Sequence, residues 1–438
     1  MLFHSHIFLF IFLPIVFSLY FLTKRFTIID TKIILIFAGL IFYSWWNIYL
    51  APLIIVSIIF NYFLGHILII KEKFSSKKRM LLIAIFLNVL FLIIFKYIDF
   101  LIFNLNHFSG SEFQYINLPF PLAMSFFTFQ TIAYLVDCYD GNIKKNSFKE
   151  YALFIIFFPQ LIAGPIVSYN EMMSQFNNIK NKFMNFRNIL LGLIIIFIGF
   201  FKKVIIADNL AIIVDAGFIN HNNLEFFSGW LTSLAFTFQI YFDFSGYIDM
   251  AIGAALLFNI KLPINFNSPF KSLSMIDFWR RWHITLSNFL MNYIYFPWLK
   301  SLKSINFFKT MLVTFFVFII AGIWHGPSWL YVIFGTLHGI GLIINHTFTR
   351  YFELNLNKYI AWFLTFNYVN LTLIFFRSKT LDSSVDIIKS MLGLKGVDIS
   401  NLTNISLFLF IIFFVAIILS FCFKNTNYLV ENYNKIIK

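Results

Sequence analysis

From Leu2 to Phe423 the chain is a succession of apolar runs, many of them separated by short connections that carry lysine and arginine. Most runs are roughly 17–22 residues long, the length a helix needs to cross about 30 Å of hydrocarbon. Water cannot be the solvent for such a chain. With 60% hydrophobic and only 12% charged residues, there is far more apolar side chain than a soluble core could take in. The runs also lack the strict alternation of a membrane β-barrel strand. The expected fold is all-α: a polytopic transmembrane helical bundle of about 11–13 membrane segments.

Charge sets the orientation. A formal net charge of +14 would suggest nucleic acid in a soluble protein, but here the cations gather in short loops, the pattern of cytoplasmic connections. No nucleic acid partner is expected. The most basic loop is Lys71 to Arg79, and two spans separate it from Lys24-Arg25, so both fall on the cytoplasmic side and the N-terminus on the other. The poorly charged stretch Lys96 to Asn117 is then external. Tyr151 to Val167 is apolar yet interrupted by Pro159 and Gly164-Pro165 and flanked on both sides by basic residues, which fits either a re-entrant loop or a kinked span. The N-terminal run continues without a small-residue cleavage site and reads as a first span rather than a removed signal. Cys138 and Cys422 are too few and too far apart for a disulfide framework or a thiolate metal site. With no connection long enough for a soluble module, residues 1–438 read as one integral membrane domain in contact with bilayer lipid.

Two histidines stand where ionisable groups are expensive. Asp277-Phe278-Trp279-Arg280-Arg281-Trp282-His283 opens the stretch, and Gly322-Ile323-Trp324-His325-Gly326-Pro327 closes it. A charged side chain at the bilayer centre costs about 2.5–3.5 kcal/mol on insertion scales, so such residues face protein or a watery cavity. After His325, Gly326-Pro327 breaks helical hydrogen bonding, and the broken backbone must be buried in protein or line a cavity. His325 is then either a neutral general base in a dry site or an imidazole satisfied by a carbonyl at the break. His283 is either a second polar contact that steers the reacting group or part of an interfacial belt made by Trp279, Arg280, Arg281 and Trp282. Asp243 and Asp249 lie in an apolar run and need partners; pairing with Arg280 or Arg281 is the expectation, and loss of either partner should lower abundance. Six residues apart on a helix, the two carboxylates diverge by about 120°, so a shared site would need Gly246 to bend the chain. The spacings of His283, His325, His338 and His346 match no common zinc pattern, so no metal is expected. His338 lies in a glycine-rich apolar helix, where the small residues suit close packing, and its loss should matter less than that of His325.

These residues carry a resemblance. Trp279 to Ser287 followed by Gly322-Ile323-Trp324-His325-Gly326 resembles the membrane-bound O-acyltransferase family. Phe158-Pro159-Gln160-Leu161-Ile162-Ala163-Gly164-Pro165-Ile166, Tyr241-Phe242-Asp243-Phe244-Ser245-Gly246-Tyr247 and Asn265-Phe266-Asn267-Ser268-Pro269-Phe270 are similar to its bacterial alginate and peptidoglycan O-acetyltransferase branch. The likeness covers a core from about Pro119 to Asn345; outside it the chain matches only in hydrophobicity. The resemblance implies broken helices around a central funnel or tunnel, His325 as the catalytic histidine and His283 as the second. Trp279, Trp282 and Trp324 would help exclude water, with Arg280, Arg281, Asp243 and Asp249 as binding or structural support. It also implies an acyl thioester, acetyl-CoA, as donor substrate, with no tightly bound cofactor. The implied acceptor is a hydroxyl of an envelope polysaccharide, the implied location the bacterial cytoplasmic (inner) membrane, and the implied partner an extracytoplasmic acetyltransferase. A transporter or flippase would also use intramembrane charge and broken helices, but transporters often carry paired repeats and none is visible here. A non-catalytic scaffold is the third reading; it would tolerate loss of His325.

Overall fold

The computed structural model describes residues 1–26, 30–70, 74–352, 356–398 and 406–436. Residues 71–73, which begin the basic loop Lys71 to Arg79, lie outside the described residues. Every regular element among the described residues is helical. Seven helices are long and apolar enough to cross a membrane: Ile48–Ile70, Ser76–Ser109, Phe186–Ile219, Phe226–Leu257, Phe307–His325, Trp329–Tyr351 and Lys358–Arg377. A bent pair, Leu407–Phe421 with Thr426–Asn432, makes a possible eighth, and Phe8–Thr23 and Thr31–Ser44 are shorter apolar helices. The protein is therefore a polytopic helical membrane protein. Its long helices are fewer than the segments expected from hydrophobicity because some segments are short or broken. Tyr151 to Val167, for instance, forms the end of Phe148–Ile156, a single turn Phe158–Leu161 with Pro159 near its start, and irregular backbone up to Ser168. Nine residues of helix rise only about 13 Å, well short of the hydrocarbon thickness.

The helices gather into two compact units, Met1–Phe197 with Ile248–Pro263, and Ile198–Tyr247 with Ile264–Lys438. In the first, that broken segment is the interior: every residue from Tyr151 to Leu161 is buried. Ser147 caps its start by accepting from the Glu150 backbone N–H, and Lys32 pairs with the Glu150 carboxylate at 2.7 Å. Non-helical backbone is thus enclosed by protein, as hydrocarbon requires. Around Phe158 pack the rings of Phe8, Phe12, Phe42 and Phe258, four of them within 6.1 Å.

In the second unit the organising element is the hairpin of Phe307–His325 and Trp329–Tyr351. The two helices cross backbone to backbone at Gly322 and Gly335, where a Cβ added to Gly322 would lie 2.3 Å from the Tyr331 carbonyl oxygen and one added to Gly335 2.3 Å from that of Phe318. Only glycine permits this approach, the usual role of small residues where membrane helices meet. The crossing lies one helical turn from His325 and thereby sets where its ring stands.

Candidate active site

His325 is the last residue of its helix. Gly326 continues in extended conformation, and Ser328 opens the next helix by accepting from the Leu330 backbone N–H at 3.2 Å. The break expected at Gly326-Pro327 is present, and it leaves the half-buried His325 at a helix end inside the second unit. Its ring is walled by aromatics, with centroids at 5.0 Å for Trp324, 5.2 Å for Phe376, 5.8 Å for Phe334 and 6.4 Å for Tyr331. Trp324 also faces His283, at 6.4 Å, so one indole lies between the neighbourhoods of the two histidines. Rings of this kind exclude water from the space beside the imidazole.

His283 is held differently. It is 2% exposed and sits between the helices Met275–Arg281 and Ile284–Leu290, with a left-handed backbone at φ 45°. A non-glycine residue there is uncommon and needs surrounding structure to hold it. That structure is the segment Asn265–Asn267, which pairs with the turn through Ile284 N–H to Asn265 O at 3.0 Å and Asn267 N–H to Arg281 O at 2.9 Å. The Asn265 side-chain oxygen then accepts from the backbone N–H and the hydroxyl of Thr285 at 3.0 and 3.1 Å and lies 3.3 Å from His283 Nδ1. Phe244 covers the imidazole edge-on at 4.9 Å. Burial, followed by the proximity of His325, pushes the His283 pKa down to about 3, so the ring is neutral.

The two tryptophans of the alternative belt reading, Trp279 and Trp282, are inside the fold at 7% and 8% exposed, and Trp324 is buried to the same degree at 7%. Trp282 stacks on Phe278 at 5.7 Å and meets Phe266 at 5.0 Å. Trp279 donates from Nε1 to Nδ1 of His338 at 3.2 Å, and the opposite ring nitrogen of His338 lies 3.0 Å from the Thr372 hydroxyl. His338, read from sequence as a packing residue, is therefore a buried link from the Met275–Arg281 helix to Lys358–Arg377. Its partner Phe334 faces both imidazoles, His325 at 5.8 Å and His338 at 4.5 Å.

The expected pairing of Asp243 with Arg280 or Arg281 is corrected by the structure. Arg281 pairs with Asp277 one turn back on its own helix at 2.8 Å, and Arg280 is exposed. Asp243 pairs with Lys203 at 2.5 Å, and Lys203 also holds Asp208 at 2.8 Å. The physical reason is the π-helical turn Phe201–Ala207, whose extra residue per turn turns Lys203 toward the neighbouring helix. Asp243 and the buried Asp249 lie on one unbroken helix, Phe226–Leu257, so Gly246 does not bend the chain and the two carboxylates do not converge. Sequence reasoning passed over Asn265 and Thr285, which grip His283, and Lys203, which grips Asp243. Asn265 opens one of the motifs that carried the family resemblance, and a motif residue with no assigned task was the available signal.

Among the described residues no three His, Cys, Asp or Glu side chains gather as a metal site. The arrangement offers instead a half-buried imidazole in an aromatic enclosure and a second imidazole kept neutral near it. That is equipment for moving a proton to and from a neutral hydroxyl.

The membrane-bound O-acyltransferase (MBOAT) family matches residues 40–381. The chain is 42% identical to the peptidoglycan O-acetyltransferase of Helicobacter pylori, across 99% of this chain and 91% of that one. It is 33% identical to the "Probable alginate O-acetylase AlgI" of Pseudomonas aeruginosa, across 93% and 78%. It is 30% identical to the teichoic acid D-alanyltransferase of Bacillus subtilis, across 56% and 62%. The likeness thus reaches well beyond the core from Pro119 to Asn345 in which the motifs lie. The chain belongs to the membrane-bound O-acyltransferase family and is an acyltransferase.

Proposed function

We propose that this enzyme moves an acetyl group from a cytoplasmic thioester, acetyl-CoA, toward hydroxyls of an envelope polysaccharide, with peptidoglycan as the first acceptor to test. Peptidoglycan leads because the Helicobacter pylori relative bears that name and is matched along nearly all of both chains. The observation that carries the reading is His325 at a helix break inside an aromatic enclosure, in a chain of this family.

His325 takes the proton of the attacking hydroxyl as its oxygen bonds to the thioester carbonyl carbon. The tetrahedral intermediate then collapses, the C–S bond breaks, and the departing thiolate receives that proton from the imidazolium. Such a positioned base commonly contributes about 10²–10⁴-fold. His283 assists from its buried turn. Trp279, Trp282 and Trp324 limit attack by water, while Arg280 and Arg281, in the basic region from Lys261, lie at the cytoplasmic entrance for the donor. The described residues are taken up by helices and short connections, and an extracytoplasmic acetyltransferase receives the acyl group or presents the acceptor. The location that follows is the bacterial inner membrane, with residues 1–438 acting as one domain.

The test is reconstitution in sealed vesicles with acetyl-CoA only inside and acceptor, with and without the candidate partner, only outside. Acetylated acceptor outside supports the scheme. Acetylation that needs donor and acceptor in one compartment overturns transfer across the membrane, and movement of acceptor with no covalent change favours a transporter instead.

A further inference from the structure

Whether His283 meets the substrate as a hydrogen-bond donor or as an acceptor follows from three hydrogen bonds. The backbone N–H of Thr285 can only donate, so the Asn265 side-chain atom 3.0 Å from it is the amide oxygen. The Thr285 hydroxyl at 3.1 Å agrees with that assignment. Turning the amide over would set its NH₂ against a backbone N–H, two donors facing each other. An amide oxygen has no proton to give, so His283 Nδ1, 3.3 Å away, must carry the hydrogen that joins them. In a neutral imidazole the other nitrogen, Nε2, is then a bare lone pair. The orientation has a visible cost. The Asn265 Nδ2 is buried and has no hydrogen-bond partner among the described residues, so the amide keeps its oxygen on the Thr285 N–H at the expense of its own donor.

We propose that Asn265 is a positioning residue which locks His283 in the Nδ1–H tautomer, so that His283 presents only an acceptor, at Nε2, and steers the attacking hydroxyl by accepting from its O–H. In this tautomer His283 has no N–H to offer the thioester carbonyl. Of the two tasks open to a second histidine in such a site, orienting the nucleophile or stabilising the oxyanion, the geometry leaves the first. The left-handed turn at His283 serves the same end, because Asn265 binds the backbone just after the ring it orients and Asn267 binds Arg281 just before it. This inference rests on the acyl-transfer reading of the site.

The test uses the full-length chain in membrane vesicles supplied with acetyl-CoA, measures release of free thiol across pH, and follows protein abundance in the same membranes. Asn265→Leu keeps the shape and removes the acceptor; thiol release should fall about 100-fold or more in kcat, with little change in KM for acetyl-CoA, within the range assigned to a mis-set acid–base group. Asn265→Asp restores an acceptor for Nδ1–H and Thr285, so it should recover most of that loss. Its carboxylate also stabilises the imidazolium against the opposing influence of His325, the titratable group that faces His283, and the acid limb of the rate profile should therefore move to higher pH. Asn265→Leu at normal abundance with at least half the normal turnover overturns the proposal, as does Asn265→Asp with an unshifted profile. Should Asn265→Leu fail to accumulate, the profile of Asn265→Asp decides alone. His325→Ala is the control: if it still turns over normally the acyl-transfer reading itself fails, whereas an inactive His325→Ala beside a normal Asn265→Leu removes only the present inference.

Discussion

His283 and His325 are both imidazoles in an apolar protein, yet their surroundings differ in kind. The first is closed by hydrogen bonds and by burial to 2% exposure, at a strained turn stitched to Asn265. The second stands half-buried at a helix end among the rings of Trp324, Tyr331, Phe334 and Phe376. A ring fixed by short polar contacts cannot gain a second proton without paying for desolvation, so it is suited to a constant task. The ring of His325 stands half-buried at the end of its helix among aromatic side chains, the surroundings that the proposed proton-moving role calls for. On the proposed function the two histidines of the motif divide the work by environment, although their residue type is the same.

The largest effect that tests this division is His325→Ala. Acyl transfer should fall by about 10²–10⁴-fold or more at unchanged abundance, measured as acetyl groups on the isolated envelope polysaccharide. Near-normal acetylation would transfer the proton-moving role elsewhere and erase the contrast.

A smaller effect is expected at His338, which belongs by structure to the closed class. His338→Ala leaves the Trp279 N–H without its acceptor, and an orphaned buried donor costs about 1–3 kcal/mol. The expected outcome is a lower melting temperature in detergent, with residual turnover well above that of His325→Ala. Thr372→Val should reproduce a fraction of the same loss. Turnover as low as that of His325→Ala in a protein of normal stability would place His338 among the reacting groups.

Smallest of all should be Asp243→Asn. Lys203 keeps Asp208 at 2.8 Å, and the Asp243 side chain is 47% exposed, so no charge is left buried alone. Solvent-accessible pairs are commonly worth about 0–1 kcal/mol. Abundance within about twofold of normal is expected, in contrast to the severe loss that pairing with Arg280 or Arg281 would have entailed. A normally abundant but inactive Asp243→Asn would bring that carboxylate into the chemistry.

Much of the site was legible because its markers are local. The break after His325 follows from Gly326-Pro327, and close packing was legible in the glycines of Gly335 to Gly341, while the role of Gly322 as their counterpart came only from the structure. The aromatic and basic run around His283 was also visible, but its burial was not: Trp279 and Trp282 read equally well as interfacial anchors until the fold enclosed them. His338 looked like packing because nothing near it in sequence hints at Trp279, 59 residues away, or at Thr372.

By itself the sequence determined the solvent, the helical class, the place of the helix break and the two histidines, since length, hydrophobicity and missing backbone donors act within one turn or one span. Only the tertiary structure decided who holds whom. Asp243 went to Lys203 because a π-helical turn in another helix re-aims one side chain, and His283 went to Asn265 because two loop segments run side by side. Partnerships of this kind depend on rotations and offsets of a few ångströms between distant segments, and such offsets leave no periodicity along the chain.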